Sequence, residues 1–156
     1  FSAAALPAAP DDSRQLRAGA AVVDITPPAG LPLWGYGGRR DLPSKEALDK
    51  LEVSVLVLEF IGDGEAGTQK PGKRRLALMG MDMGRSPGRA TMQKNRRAVE
   101  DRAGVGDIFL VASHTHHGPC MELEKTGPTA KYIDTLVDRI AIATASASPI
   151  GLFWSE

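Results

Sequence analysis

Between Leu51 and Ile61 the chain reads Leu-Glu-Val-Ser-Val-Leu-Val-Leu-Glu-Phe-Ile, polar and apolar in alternation at first and then almost continuously apolar. A period of two marks a strand, and its loss predicts a strand buried on both faces. Leu76 to Met81 is a second apolar run and Ile108 to Ala112 a third. Ala20 to Ile25 is a shorter β-type run that stops at Thr26-Pro27-Pro28, because two prolines cannot continue a hydrogen-bonded ladder. Elsewhere the period is helical. Ser86-Pro87 offers an N-cap with proline at the first helical position, opening a polar helix that ends at Gly104. Thr126-Gly127-Pro128 opens another, with Ile133, Leu136, Val137, Ile140, Ala141 and Thr144 at helical intervals until Pro149 breaks it. A last strand starts at Ile150 and runs towards Trp154. Glycine and proline punctuate the rest: a loop through Gly30, Pro32 and Gly35-Tyr36-Gly37-Gly38, and a hairpin-like tip from Gly62 to Gly72. Strands interleaved with helices predict an α/β layered fold with a mixed sheet.

Composition narrows the function classes. A length of 156 residues is one domain's worth, and 42% hydrophobic with 24% charged residues is ordinary for a globular protein. Lysine plus arginine equal aspartate plus glutamate at 19 each, so no footprint for nucleic acid or an anionic membrane is expected. The triplets Lys73-Arg74-Arg75 and Asn95-Arg96-Arg97 read as solvated charge. No apolar run approaches the roughly 18 residues of a transmembrane segment. The single cysteine, Cys120, excludes an internal disulfide. Phe1 to Pro10 is rich in alanine and proline, the texture of a signal peptide's end or of a linker. Residues 1–17 are therefore expected to be a disordered signal-peptide remnant or linker, with residues 18–156 folded and the protein secreted or periplasmic.

All 3 histidines lie in Ser113-His114-Thr115-His116-His117-Gly118-Pro119, directly after the third buried strand. Imidazole is the side chain most often used for transition metals at neutral pH. Ligands collect beyond the carboxyl ends of strands in such sheets. Strand alternation would put His114 and His116 on one face and His117 on the other. Asp82 ends the preceding strand–helix unit, where it could bind a metal, orient a histidine or cap the helix. A hydrogen-bonded turn is the bland reading of the histidines, and a buried thiol that of Cys120. A zinc hydrolase site takes three protein ligands and leaves a fourth position for water. The adjacent histidines supply two at most, so the sequence points to an incomplete site.

With these residues in view the chain resembles the N-terminal part of the neutral/alkaline, non-lysosomal ceramidase family. The resemblance rests on ordered pieces: Ala18 to Pro28 for the opening strand and turn, Gly35-Tyr36, Asp49 to Leu58 for the first long strand, and Met81-Asp82-Met83-Gly84. The most specific piece is Ser113 to Pro119, similar to the family's His-Thr-His-Ser-Gly-Pro signature. His117 stands in place of the serine, and Lys50, Ser54 and Cys120-Met121 also depart from the pattern. The resemblance implies zinc-dependent hydrolysis of the amide of N-acylsphingosine (ceramide) or a related lipid amide, met at a membrane surface. It implies that His114 is a zinc ligand and that His116 lies in the pocket against substrate or oxyanion; Asp82 is a further catalytic candidate from its place at the end of the preceding strand–helix unit, not from the resemblance. The family's other ligands, a histidine, a glutamate and a tyrosine, come from later sequence, so this portion is expected to be inactive alone. The rivals are a non-catalytic extracytoplasmic binding domain on the same scaffold, and another metal-dependent amide or ester hydrolase completed by Asp82 and Cys120.

Overall fold

The computed structural model describes residues 15–39, 42–62, 72–121 and 127–152. Five strands and two helices follow in the order β1 (Gln15–Asp24), β2 (Glu52–Gly62), β3 (Gly72–Met81), α1 (Arg89–Ala103), β4 (Asp107–Ala112), α2 (Gly127–Ser146) and β5 (Ile150–Gly151). They form one sheet in the order β4-β3-β2-β1-β5. β1, β2 and β3 are an antiparallel meander, and β5 joins β1 antiparallel. β3 and β4 run parallel, as a strand–helix–strand crossover through α1 requires. This is the mixed α/β sheet expected from the pattern.

β2 sets the core. Val53, Val55 and Val57 are buried while Glu52, Ser54 and Leu56 between them are exposed. Ala77, Met79 and Met81 of β3 and Ile108 of β4 extend that buried face. α1 contributes Val99, and α2 contributes Ile133, Leu136 and Ile140 at helical spacing. The continuous apolar run in β2 predicted burial on both faces, and the structure corrects this. Among the described residues the helices cover one face only. On the other, Leu16, Val22, Leu56, Phe60, Phe109 and Val111 are between 38% and 62% exposed. Register lines up Ala20, Leu56, Leu78 and Phe109 in one row across four strands.

Several boundaries move for identifiable reasons. β1 begins at Gln15, where Gln15, Leu16 and Arg17 pair with Ile61, Phe60 and Glu59, so these residues are strand and not part of a disordered leader. Residues 1–14 of that expected leader, the tip at 63–71 and the end of the last strand at 153–156 lie outside the described residues. α1 starts at Arg89 with Gly88 as N-cap and no side-chain capping bond. Ser86 instead donates its hydroxyl to the Leu110 carbonyl. Gly104 ends α1 in the left-handed conformation (φ 63°), returning its N–H to the Glu100 carbonyl.

Arg96 and Arg97 of the second basic triplet are exposed as expected, but the charge of the first is not simply solvated. Glu59 is buried at 2% exposure and gathers Lys73 at 2.8 Å, Arg75 at 2.5 Å and Arg17 at 3.9 Å. Burial pushes its pKa up, but hydrogen bonds from Lys73 and Arg75 and their charges outweigh this and hold it below its ordinary value. Arg75 also donates to the Ala103 carbonyl at 2.7 Å, tying the sheet to the end of α1. Asn95 is fully buried on α1. At the other end of the sheet the Tyr132 hydroxyl donates to the Ile25 carbonyl at 2.5 Å and Arg139 to the Asp24 carbonyl. α2 thereby anchors the segment that leads from β1 into Thr26-Pro27-Pro28.

Candidate functional site

Parallel pairing makes β3 and β4 finish together, with Met81 opposite Ala112. Their following segments, Asp82-Met83-Gly84 and Ser113 to Pro119, therefore leave the sheet side by side at its carboxyl edge, where ligand sites form in such folds. The Ser113 N–H donates to the Met81 carbonyl at 2.9 Å. Beyond it the strand stops. His114 has φ 64°, a left-handed conformation uncommon for a residue with a side chain and typical of constrained functional sites. Strand alternation thus fails to describe the histidines, although the pairing it predicted is present by another route. The turn at His116-His117 folds the chain back, and the His114 and His116 rings lie 5.2 Å apart between centroids at 62°. His114 and His117 are exposed and His116 is half-buried.

A wall missed in the sequence comes from the glycine- and proline-rich loop. Its base is closed on itself: the Gly30 N–H donates to the Ser44 carbonyl at 2.9 Å, and the Ser44 N–H to the Leu31 carbonyl at 2.8 Å. Its arm pairs with the histidine segment, the Trp34 N–H donating to the Gly118 carbonyl at 2.9 Å and the Cys120 N–H to the Pro32 carbonyl at 2.7 Å. Arg39 completes the seam by donating to the His116 carbonyl at 2.6 Å and to the Trp34 carbonyl at 3.1 Å. Trp34 then stands edge-on to both imidazoles, 4.9 Å from each centroid, at 75° to His114 and 84° to His116. Tyr36 flanks His116 at 4.7 Å and His117 at 6.3 Å. The guanidiniums of Arg39 and Arg85 lie over the Tyr36 and Trp34 rings at 5.0 Å and 5.3 Å. Two glycines permit this closeness. Gly35 (φ 80°) would put a Cβ 2.6 Å from the His116 ring, and a Cβ on Gly84 would collide with the Trp34 indole. The glycine–tyrosine dipeptide was the available signal for this wall; Trp34, Arg39 and Arg85 carried none.

Asp82 is elsewhere engaged. Its carboxylate accepts from the Glu52 N–H at 3.2 Å, and its own N–H donates to the Glu52 carbonyl at 2.9 Å, bracing the β3 turn against the start of β2. Cys120 is buried. Among the described residues no three His, Cys, Asp or Glu side chains stand close enough to hold one metal ion, so Asp82 and Cys120 do not complete a ligand set with the histidines. The donor chemistry still suits zinc. Among the described residues no hydrogen bond engages the His114 or His116 imidazole, and imidazole nitrogen is a usual zinc ligand. The described residues fit zinc as a partial ligand set and not as a closed one. No helix among them is long and apolar enough to cross a membrane.

No protein-family model and no curated protein matches this sequence. Among solved structures the fold is similar to neutral ceramidase from Pseudomonas aeruginosa, with a TM-score of 0.64, 24% identity and 87% of this chain covered. It is also similar to a ceramidase complexed with C2, with a TM-score of 0.57, 24% identity and 85% coverage. The chain spans 22% and 21% of those two chains, about a fifth of their length. At that identity the likeness shows the fold.

Proposed function

We propose that this chain is the part of a zinc-dependent lipid-amide hydrolase that carries its first metal-binding histidine. The carrying observation is the pair of imidazoles, without a hydrogen-bond partner among the described residues, 5.2 Å apart at the carboxyl edge of a ceramidase-like sheet. In this reading His114 binds zinc, and its left-handed backbone turns the ring out of the strand towards His116 and Trp34. When bound, zinc supplies Lewis acidity towards an amide carbonyl and activates water. His116, its carbonyl held by Arg39, stands beside the ligand to hydrogen-bond the substrate or the developing oxyanion. Asp82 contributes by holding the β3 turn in place through Glu52. The proposed substrate is N-acylsphingosine or a related lipid amide met at a membrane surface, and the proposed setting is outside the cytoplasm.

Two imidazoles where three ligands are needed lead to a specific expectation. The 156-residue chain binds zinc weakly and does not turn over a fluorogenic ceramide. His114→Ala abolishes the zinc binding, while Asp82→Ala and Cys120→Ser leave its stoichiometry unchanged. Zinc binding that survives His114→Ala removes the ligand role. Hydrolysis by the chain that is lost in His114→Ala would show a complete site and overturn the partial one. The lack of a three-ligand group among the described residues also favours a second reading, a binding domain that keeps the scaffold without the chemistry. Zinc absent under all conditions, with ceramide still bound, selects it.

A further inference from the structure

We infer that Trp34 is a positioning residue that sets the separation and tilt of the His114 and His116 rings, a role resting on the zinc reading only for its purpose. Metal-binding histidines are ordinarily oriented by a hydrogen bond from the second ring nitrogen to a carboxylate or carbonyl. Here neither imidazole has such a partner among the described residues. What meets both is a single indole, 4.9 Å from each ring and roughly perpendicular to each. Edge-to-face contacts of this kind are directional, because the positive edge of one ring prefers the negative face of the other. One rigid plane shared by two rings therefore defines their mutual geometry.

The indole is itself held. Its backbone N–H is bonded to Gly118, four residues beyond His114, and its carbonyl to Arg39, which also grips the His116 carbonyl. The ring lies against the bare backbone of Gly84, where any side chain would displace it, with the Arg85 guanidinium over it. Trp34 thus connects three segments, the loop, the turn after β3 and the histidine turn, and delivers their combined constraint to the imidazoles. A core-filling role alone would not require contact with both rings, and Trp34 is only half-buried.

The test is an isotope-labelled NMR comparison of the whole chain with Trp34→Leu, Trp34→Phe and Gly84→Ala, alongside calorimetric titration with Zn2+. In the unsubstituted protein, cross-peaks should join the indole to both imidazoles and the imidazoles to each other. Trp34→Leu should lose the His114–His116 cross-peaks while amides of β2 and α2 keep their positions, and zinc affinity should fall about 10- to 100-fold. Trp34→Phe should restore most of both. Gly84→Ala, which drives the indole away while leaving it in the sequence, should reproduce the loss. Persistence of the His114–His116 cross-peaks in Trp34→Leu overturns the proposal, as does absence of indole–imidazole cross-peaks in the unsubstituted protein. If no zinc binds to any form but the cross-peaks vanish as described, positioning by Trp34 stands and the zinc reading falls. Intrinsic fluorescence adds an independent readout. In a Trp154→Phe background the emission belongs to Trp34, and Co2+ bound through His114 should quench it, an effect removed by His114→Ala.

Discussion

Glu59→Gln isolates the charge cluster at the end of the sheet remote from the histidines. The carboxylate is 2% exposed and accepts charge-assisted bonds from Lys73 at 2.8 Å and Arg75 at 2.5 Å, with Arg17 at 3.9 Å adding attraction. Breaking a fully buried pair costs about 3–5 kcal/mol, because the stranded charge stays buried. Here the partner side chains are 52% and 25% exposed and can turn to water, and Arg75 keeps its bond to Ala103. The glutamine oxygen also still accepts one bond. About 2–3 kcal/mol is therefore expected, the range for a hydrogen bond to a charged group. With a urea slope of roughly 1–3 kcal/mol per molar, that moves the unfolding midpoint by about 1 M.

The pH dependence carries the sign. Hydrogen bonds and charge hold the folded pKa of Glu59 below its ordinary 4.5, so its contribution is complete above that value and is lost as pH falls through the lower, folded pKa. The stability gap between the unsubstituted protein and Glu59→Gln, from urea unfolding followed by far-UV circular dichroism, should hold from pH 7 to about 5 and close in more acid solution. A gap that is absent at pH 7, or that persists unchanged after Glu59 is protonated, refutes the electrostatic account and leaves packing as the role of the side chain.

Four further substitutions separate other features. Tyr132→Phe removes the donor to the buried Ile25 carbonyl and should cost about 1–3 kcal/mol in denaturant unfolding; a neutral result means water replaces the hydroxyl. Gly35→Ala forces a side chain into a left-handed residue, costing about 1–2 kcal/mol, and pushes on the His116 ring, so His116 resonances should move more than any in α2. Phe109→Ser on the uncovered sheet face should change stability by no more than about 0.5 kcal/mol, against about 2–5 for Leu136→Ala beneath the helices; comparable losses would mean that both faces are packed.

The sequence disclosed those parts of the molecule whose cause is local. The strand at β2, the stop at Thr26-Pro27-Pro28, the helix end at Gly104 and the helical stripe of α2 each follow from a few neighbouring residues, and each is present. What eluded it depends on distant partners. Lys73 and Arg75 look solvated until Glu59, on the neighbouring strand, is seen buried between them. Leu56 and Phe60 look like core because their composition matches that of Val55 and Val57, and only the placement of both helices on one side leaves them exposed. The histidines were visible as a cluster, but their pairing was derived from strand geometry that ends at Ala112. The left-handed turn at His114 brings the rings together instead.

The same distinction separates stability from site geometry. The bond from Arg39 to His116 spans 77 residues, and the Trp34–Gly118 bond spans a comparable distance, so the wall that orients the imidazoles forms only when the loop docks on the finished β3–β4 edge. That loop contributes Leu31 to the buried core but holds Trp34, Gly35 and Arg39 only part-buried. Local opening of such a segment costs less free energy than global unfolding. Substitutions around Glu59 should therefore lower the stability of the sheet while leaving the ring geometry intact in the folded fraction. Changes at Gly35 or Gly84 should disturb the rings while the sheet unfolds almost as before. A metal site built at this edge would take His114 from the turn after β4 and the orientation of its ring from the loop.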